Sequence, residues 1–498
     1  MYLATAILKE LDNPDLTLSE RARLRCRLAR QYEQAGEYEA ASEGMADLWR
    51  GVGARPMLEG LDEETKALVL LRVGALSGWI GSAWQIEGSQ EMGKDLISES
   101  LRVFEQLGKR SKVGEARSDL ALCYWRAGAY DEARITLQEA LAEFDEGDIE
   151  LKATALLRKA HIERASNRLN EALRVYEGSA FLFDEMNNHL LAGTFHHGYA
   201  NVLNQLSAIE DRKDYVDLAL IEYAAASFDF ERAGHERYHA CVENNLGLLL
   251  GTVGNFVEAH EHLDRAQMLM TRLKDNVHLA QVDETRARVL LAEERIIEAE
   301  KIARVAVLKL EKGDELSLLA EALTTHGIAL ARLDHSEQAR AVLHRAIEVA
   351  EQAGDFEKAG VAALTLIERL GLNLSSAEVW ATTIDRLNIL LEKTTDISIV
   401  RRITKSAFRA LFLTHTIPTP PDWTNFSFRQ AVLRYEAHLI TSALNQCHGS
   451  VTKAARLLGF KHHQSLTALI DGRHKDLLER RLPVRKRRKH LIAHPKKS

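Results

Sequence analysis

Proline is nearly missing from the middle of this 498-residue chain. All seven prolines (Pro14, Pro56, Pro418, Pro420, Pro421, Pro483 and Pro495) lie outside positions 57 to 417. A β-rich chain needs turns throughout so long a stretch, and prolines mark many of them, so their absence predicts an all-helical protein. Cysteine is also scarce. Cys26, Cys123, Cys241 and Cys447 stand far apart with no C-x-x-C pair, which excludes a disulfide scaffold and a metal knuckle. The longest uncharged apolar-rich stretch, Val73 to Ile86, falls short of the ~18–20 residues a membrane span needs. The apolar start from Tyr2 to Leu8 ends at Lys9-Glu10, unlike a secretory leader, so a cytoplasmic location is expected. There is no G-x-x-x-x-G-K-[ST] phosphate loop, no G-x-G-x-x-G after a strand and no G-x-S-x-G elbow. Neither catalysis nor a cofactor is therefore expected.

The chain is 46% hydrophobic and 28% charged, a globular composition, and too long for one compact core. Its net charge of −7 hides an asymmetry. Residues 401–498 hold 20 Lys/Arg and 5 Asp/Glu, a balance of +15, and the first 400 residues hold 45 and 67, a balance of −22. An acidic body and a basic C-terminal segment suggest two tasks, the second being contact with a polyanion.

The body repeats itself. Ala121, Tyr124, Gly128, Ala133, Leu137 and Ala140 share their offsets with Gly247, Leu250, Gly254, Ala259, Leu263 and Ala266, and with Gly327, Leu330, Asp334, Ala339, Leu343 and Ala346. A small residue recurs at Ala41, Gly93, Ala133, Ala172, Ala219, Ala259, Ala299 and Ala339, with gaps of 52, 40, 39, 47, 40, 40 and 40. The 52 contains an insertion around Gly51–Glu64, and the 47 contains seven extra residues in the Ser207–Asp217 region. Small residues near the end of one helix and early in the next let two antiparallel helices approach, with a turn residue between them. These units resemble tetratricopeptide repeats over roughly residues 20 to 395, with a longer period and without the closing proline. The resemblance implies an α-solenoid. The expected boundaries are 1–413 for the solenoid with a cap helix, 414–426 for a Pro-rich linker, 427–480 for a small helical domain and 481–498 for a basic mobile tail.

A solenoid of this kind lines a concave face with its first helices. First-helix positions three before, one after and four after the small anchor are expected to face inward: His161 and Arg164; His197, Asn201 and Asn204; Asn244; Glu284 and Arg288. They would form a groove for a protein or peptide partner, the plain alternative being a solvated polar face. His235-Glu236-Arg237-Tyr238-His239 matches the zinc pattern HExxH, but it falls at an inter-unit junction where the first His belongs to a loop. No metal site is expected.

After the linker, Phe428 to Cys447 reads as a helix with Val432, Tyr435, Leu439, Ala443 and Leu444 on one stripe. Gly449 ends it, Ser450 or Thr452 caps a short helix from Lys453 to Leu458, and Gly459 precedes a third helix starting near Gln464. Tyr435-Glu436, Leu439-Ile440, Ala443-Leu444, Gly449, Ala454-Ala455, Leu458-Gly459-Phe460 and Ser465-Leu466 resemble the Fis-type helix-turn-helix domain that ends many bacterial activators. The turn is one residue longer than usual, and Ala468-Leu469 stand where basic residues are common. The resemblance implies DNA binding by the third helix and a two-fold dimer through the first. Gln464 would read adenine, with His462, His463, Ser465 and Thr467 beside it. Lys453, Lys461, Arg473 and Lys475 would hold phosphates, and the run Arg485, Lys486, Arg487, Arg488 and Lys489 would add salt-dependent affinity. The expected function is a DNA-binding transcriptional regulator whose solenoid senses a partner; the alternative is an adaptor without specific DNA binding.

Overall fold

The computed structural model describes residues 2–370 except 46, 85, 185 and 211, together with 387, 400–406 and 427–480. Among the described residues there is helix and no strand. The expected cap helix past residue 406, the linker 414–426, and the tail with Arg485, Lys486, Arg487, Arg488 and Lys489 lie outside them. The chain divides into two compact units, Met1–Phe408 and Arg409–Ser498.

Among the described residues of the first unit, α1 (Tyr2–Leu11) precedes eight helix pairs and the opening helix of a ninth. The first helices are α2 (Leu18–Gln34), α4 (Glu63–Ala83), α6 (Arg110–Arg126), α8 (Ile149–Ala165), α10 (His189–Glu210), α12 (Glu236–Val253), α14 (Asn276–Ala292), α16 (Leu316–Arg332) and α18 (Phe356–Leu370). Their partners are α3 (Tyr38–Gly44), α5 (Ser89–Gln106), α7 (Tyr130–Glu143), α9 (Leu169–Asp184), α11 (Lys213–Arg232), α13 (Phe256–Arg272), α15 (Ile296–Leu310) and α17 (Ser336–Gln352).

The repeat offsets have a direct packing cause. Ala41, Ala133, Ala172, Ala219, Ala259, Ala299 and Ala339 all lie early in second helices and are fully buried. Opposite them, Gly247 and Gly327 on the first helices leave room for leucines. A Cβ at either would stand 2.6 Å from Leu263 or Leu343. The turn position adopts the left-handed conformation at Gly36, Gly128, Asn167, Gly254, Glu294 and Asp334. In each case the amide of the residue after the turn position bonds back across the turn, as from Glu37 to the Tyr32 carbonyl at 2.8 Å and from His335 to Leu330 at 3.0 Å. This is the Schellman closure, and it fixes the angle between the paired helices.

Two irregular units differ from expectation in detail. The seven extra residues of the fifth unit do not loop out; they lengthen α10 to 22 residues and α11 to 20. The insertion before α4 is irregular and is pinned by Trp49, which is buried and donates its indole N–H to the Ala54 carbonyl at 2.9 Å.

The second unit contains α19 (Phe428–Gln446), α20 (Val451–Leu457) and α21 (His463–Arg473), followed by a 3-10 turn at Lys475–Arg480. Ile440, Ala443, Leu444, Ala454, Ala455, Leu466, Ile470 and Leu477 form its core. Gly449 and Gly459 take positive φ at the two turns, where a side chain would be strained. Ser450 occupies the N-cap position of α20, but its side chain makes no capping bond. The expected stripe on α19 needs correction: Val432 and Leu439 are exposed, because Ile440, Ala443 and Leu444 define the inward face.

Candidate functional site

The first helices form the inside of a tight curve. Arg30 on α2 reaches past α4 to Glu115 on α6 at 2.7 Å, a contact between units two apart that only an inwardly curved surface allows. Arg72 on α4 lies between them, paired with Glu33 and, at 3.2 Å, with Glu115. Lys112 adds a third cation to Glu115 at 2.8 Å. Burial opposes the charge of Glu115, but Arg30, Lys112 and Arg72 hold its carboxyl down to about 2. Arg158 on α8 pairs with Asp119 on α6 at 2.6 Å. Arg30, Glu33, Arg72, Glu115, Asp119 and Arg158 line a small cavity of about 50 Å³ on this side. The repeat offsets reach only Arg30 and Glu33, one and four residues after Ala29, and single out none of the other four.

The curve closes on itself. His235 Nε2 lies 2.9 Å from the Ala35 carbonyl, 200 residues away in sequence. Its Nδ1 accepts the Tyr238 amide at 3.3 Å, so Nε2 carries the proton and donates it to Ala35. A Cβ on Gly36 would stand 3.5 Å from the Tyr238 hydroxyl, so the two turns are in contact. His235 is thus the N-cap of α12, as its loop position predicted. His239 instead faces Glu243 at 3.6 Å. Among the described residues no group of three or more potential ligands is placed to hold a metal ion.

The eight expected groove residues divide into three kinds. Three are spent on joining helices, within a unit or between units. Tyr223 donates its hydroxyl to Asn201 at 2.8 Å, Asn245 donates to His197 Nε2 at 3.1 Å, and Arg288 pairs with Glu321 at 3.3 Å. Asn244 and Glu284 are buried instead of facing an open groove. Asn244 Oδ1 has no partner, whereas Glu284 accepts the Thr325 hydroxyl at 2.6 Å. Burial pushes the Glu284 carboxyl up to about 7, with Arg288 opposing and Glu321 reinforcing the shift. His161, Arg164 and Asn204 are half-buried on the inner side.

Around His161 the structure gathers aromatic rings and guanidinium groups. Tyr38 stacks on Trp79 at 5.0 Å, and the Arg126 guanidinium lies 3.8 Å over the same indole. The His161 ring meets Trp125 edge-on at 4.6 Å. Burial, then Arg164 and Arg126, lower His161 to about 4, and burial with Arg164 does the same to His197. Both imidazoles are neutral near pH 7.

In the second unit, Leu466 and Ile470 are fully buried, and their burial turns the opposite side of α21 outward. Lys453, Lys461, His462, His463, Gln464, Ser465, Arg473 and Lys475 are exposed. Thr467 is half-buried and returns its hydroxyl to the His463 carbonyl at 3.1 Å, which occupies its donor. Arg473 stands 3.8 Å from Glu436, and buried His474 bonds the same carboxylate at 2.9 Å.

No protein-family model matches the sequence, and no curated protein matches it. Solved structures do. The apo form of RapI is 12% identical, with a TM-score of 0.50 over 82% of this chain and 99% of its own. The apo quorum sensor NprR from B. thuringiensis is 14% identical, with a TM-score of 0.49 over 70% and 92%. A signal-transduction ATPase with a tetratricopeptide repeat sensor from Pyrococcus horikoshii is 13% identical, with a TM-score of 0.47 over 77% and 54%. At 12% identity the likeness to RapI bears on the fold alone, and with the helix pairs described above the chain is a helical repeat solenoid of the tetratricopeptide type. No helix among the described residues is long and apolar enough to cross a membrane.

Proposed function

We propose that this protein is a DNA-binding transcriptional regulator in which the solenoid docks a protein or peptide and the C-terminal unit binds DNA as a helix-turn-helix. The observation that carries the reading is the outward face of α21, where Lys461, His462, His463, Gln464 and Ser465 stand exposed around a helix anchored by Leu466 and Ile470. Gln464 offers an amide that can bond adenine through two atoms, and Lys453, Lys461 and Lys475 supply phosphate contacts. Residues 481–498 add eight Lys/Arg and no acidic residue, so most of the affinity is nonspecific and sensitive to salt.

The exposed apolar positions Phe428, Val432 and Leu439 on α19 support a homodimer through this unit, which would pair two half-sites. The solenoid role rests on the inner cavity and the polar residues around it. A tetratricopeptide-type fold without a phosphate loop supports docking over catalysis, and no cofactor is assigned.

The test uses the full-length chain in a selection from random duplex DNA, followed by binding across a salt series. The expected result is one enriched sequence and a log–log slope of about −0.9 per phosphate neutralised. Enrichment no better than the starting pool would leave the protein an adaptor. In parallel, affinity selection from a random pentapeptide pool tests the groove.

A further inference from the structure

The solenoid is acidic as a whole, yet its inner wall is not. Arg30, Arg72, Lys112 and Arg158 gather there around Glu33, Glu115 and Asp119, with Arg126 and Arg164 beside them. The three carboxylates are already shared among Arg30, Arg72, Lys112 and Arg158. Among the described residues, Arg126 and Arg164 pair with no carboxylate. Arg126 Nη2 is buried with no hydrogen-bond partner. Its guanidinium rests on Trp79, in space kept open by Gly78, where a Cβ would approach Nη1 to 3.3 Å. Burial weakens its hold on the proton, and Arg158 repels it. An unpaired, partly buried guanidinium is costly. Two of them near one neutral imidazole form a cationic site lacking its counter-charge.

We infer that Arg126 and Arg164, with His161 beside them, form a subsite for the phosphate monoester group of a ligand. This rests on the reading of the inner face as a ligand site and adds the ligand's chemistry. The two cations without a carboxylate partner select the group. Arg126 and Arg164 match a dianion, and a phosphate monoester carries about −1.5 to −2 near pH 7 with three acceptor oxygens. Guanidinium donors bond such oxygens in pairs. The neutral imidazole of His161 adds a donor without adding charge. Trp79, Trp125 and Tyr38 offer flat surfaces for whatever carries the phosphate.

The phosphate can belong to a small molecule or to a phosphorylated peptide. The experiment therefore titrates the full-length protein with phenyl phosphate, with a phosphoserine pentapeptide pool, and with benzoate and the unphosphorylated pool as matched controls. Calorimetry and melting temperature are the readouts. Phosphomonoesters are expected to bind, with R126Q and R164Q each losing on the order of tenfold to a hundredfold in affinity. The ligand-free variants should melt no lower than wild type, because each loses an unpaired cation; a purely structural role would lower the melting temperature instead. Whichever phosphorylated probe binds more tightly identifies the source. Equal binding by wild type and both variants overturns the subsite, as does benzoate binding as tightly as phenyl phosphate. If only the unphosphorylated pool binds, the groove reading stands and the phosphate subsite falls. If no probe binds, both fall.

Discussion

Glu284 makes stability depend on pH in a direction opposite to most carboxylates. It is 3% exposed and accepts the Thr325 hydroxyl, and its carboxyl sits near 7 against an ordinary 4.5. The charged groups facing it are Arg288 at 4.0 Å, Glu321, and Lys358, which stands 3.8 Å from Glu321. A carboxyl raised on folding contributes stability below its unfolded value and loses it as pH rises through its folded value. A shift of that size corresponds to about 3 kcal/mol, most of it lost by pH 8. Glu284→Gln keeps the oxygen that accepts from Thr325 and cannot ionise. The variant is therefore expected to be more stable than wild type, by a margin that widens by about 2 kcal/mol between pH 5.5 and pH 8.5. Urea unfolding followed by helical circular dichroism measures this, because the difference between the two proteins cancels the titrating groups that do not interact with Glu284. Parallel pH profiles would refute the reasoning, and a variant less stable at pH 8.5 would show that Arg288 and Lys358 outweigh desolvation.

Three further outcomes test the packing. Gly327→Val places a branched side chain where even a Cβ would stand 2.6 Å from Leu343, and should lower stability by about 1–3 kcal/mol in the same urea experiment. Asp334→Gly relieves a left-handed residue at φ 63° and should raise stability by about 1 kcal/mol. Leu466→Ala removes a fully buried side chain from the small core of the second unit, at a cost of about 2–5 kcal/mol. Proteolysis should then cut within 427–480 and DNA binding should vanish, with the solenoid's melting unchanged.

The helical repeat was legible because crossing helices tolerate only small residues at the crossing, and Ala133, Ala259 and Ala339 record that constraint in a fixed spacing. The turn residues were legible for a similar reason, since a left-handed position favours glycine and tolerates Asn167 or Asp334. The third helix of the second unit was readable from the Gly459 turn before it and the Ser465-Leu466 pair near its start. The charged inner wall was not. Arg72 and Glu115 sit in mid-helix, where sequence does not distinguish a solvated ion from one facing its partner across a curve. The curvature accumulates from small rotations between units, so the approach of Ala35 to His235 has no local signature. Asn244 and Glu284 were assigned to an open groove because the offset rule treats all units alike, while neighbouring first helices cover them. Val432 and Leu439 show the converse: apolar identity alone did not say which side of α19 meets the core.

The meeting of the Gly36 turn with the His235 turn changes how the array comes apart. In an open stack each unit touches only its neighbours, and the terminal ones fray first at little cost. Here the amino-terminal pair is bolted to the middle of the stack, so peeling it away also strips the lid from the junction before α12. Loosening of the first six pairs becomes a joint event, and the front half behaves as one cooperative block while the carboxy-terminal pairs remain free to unravel singly.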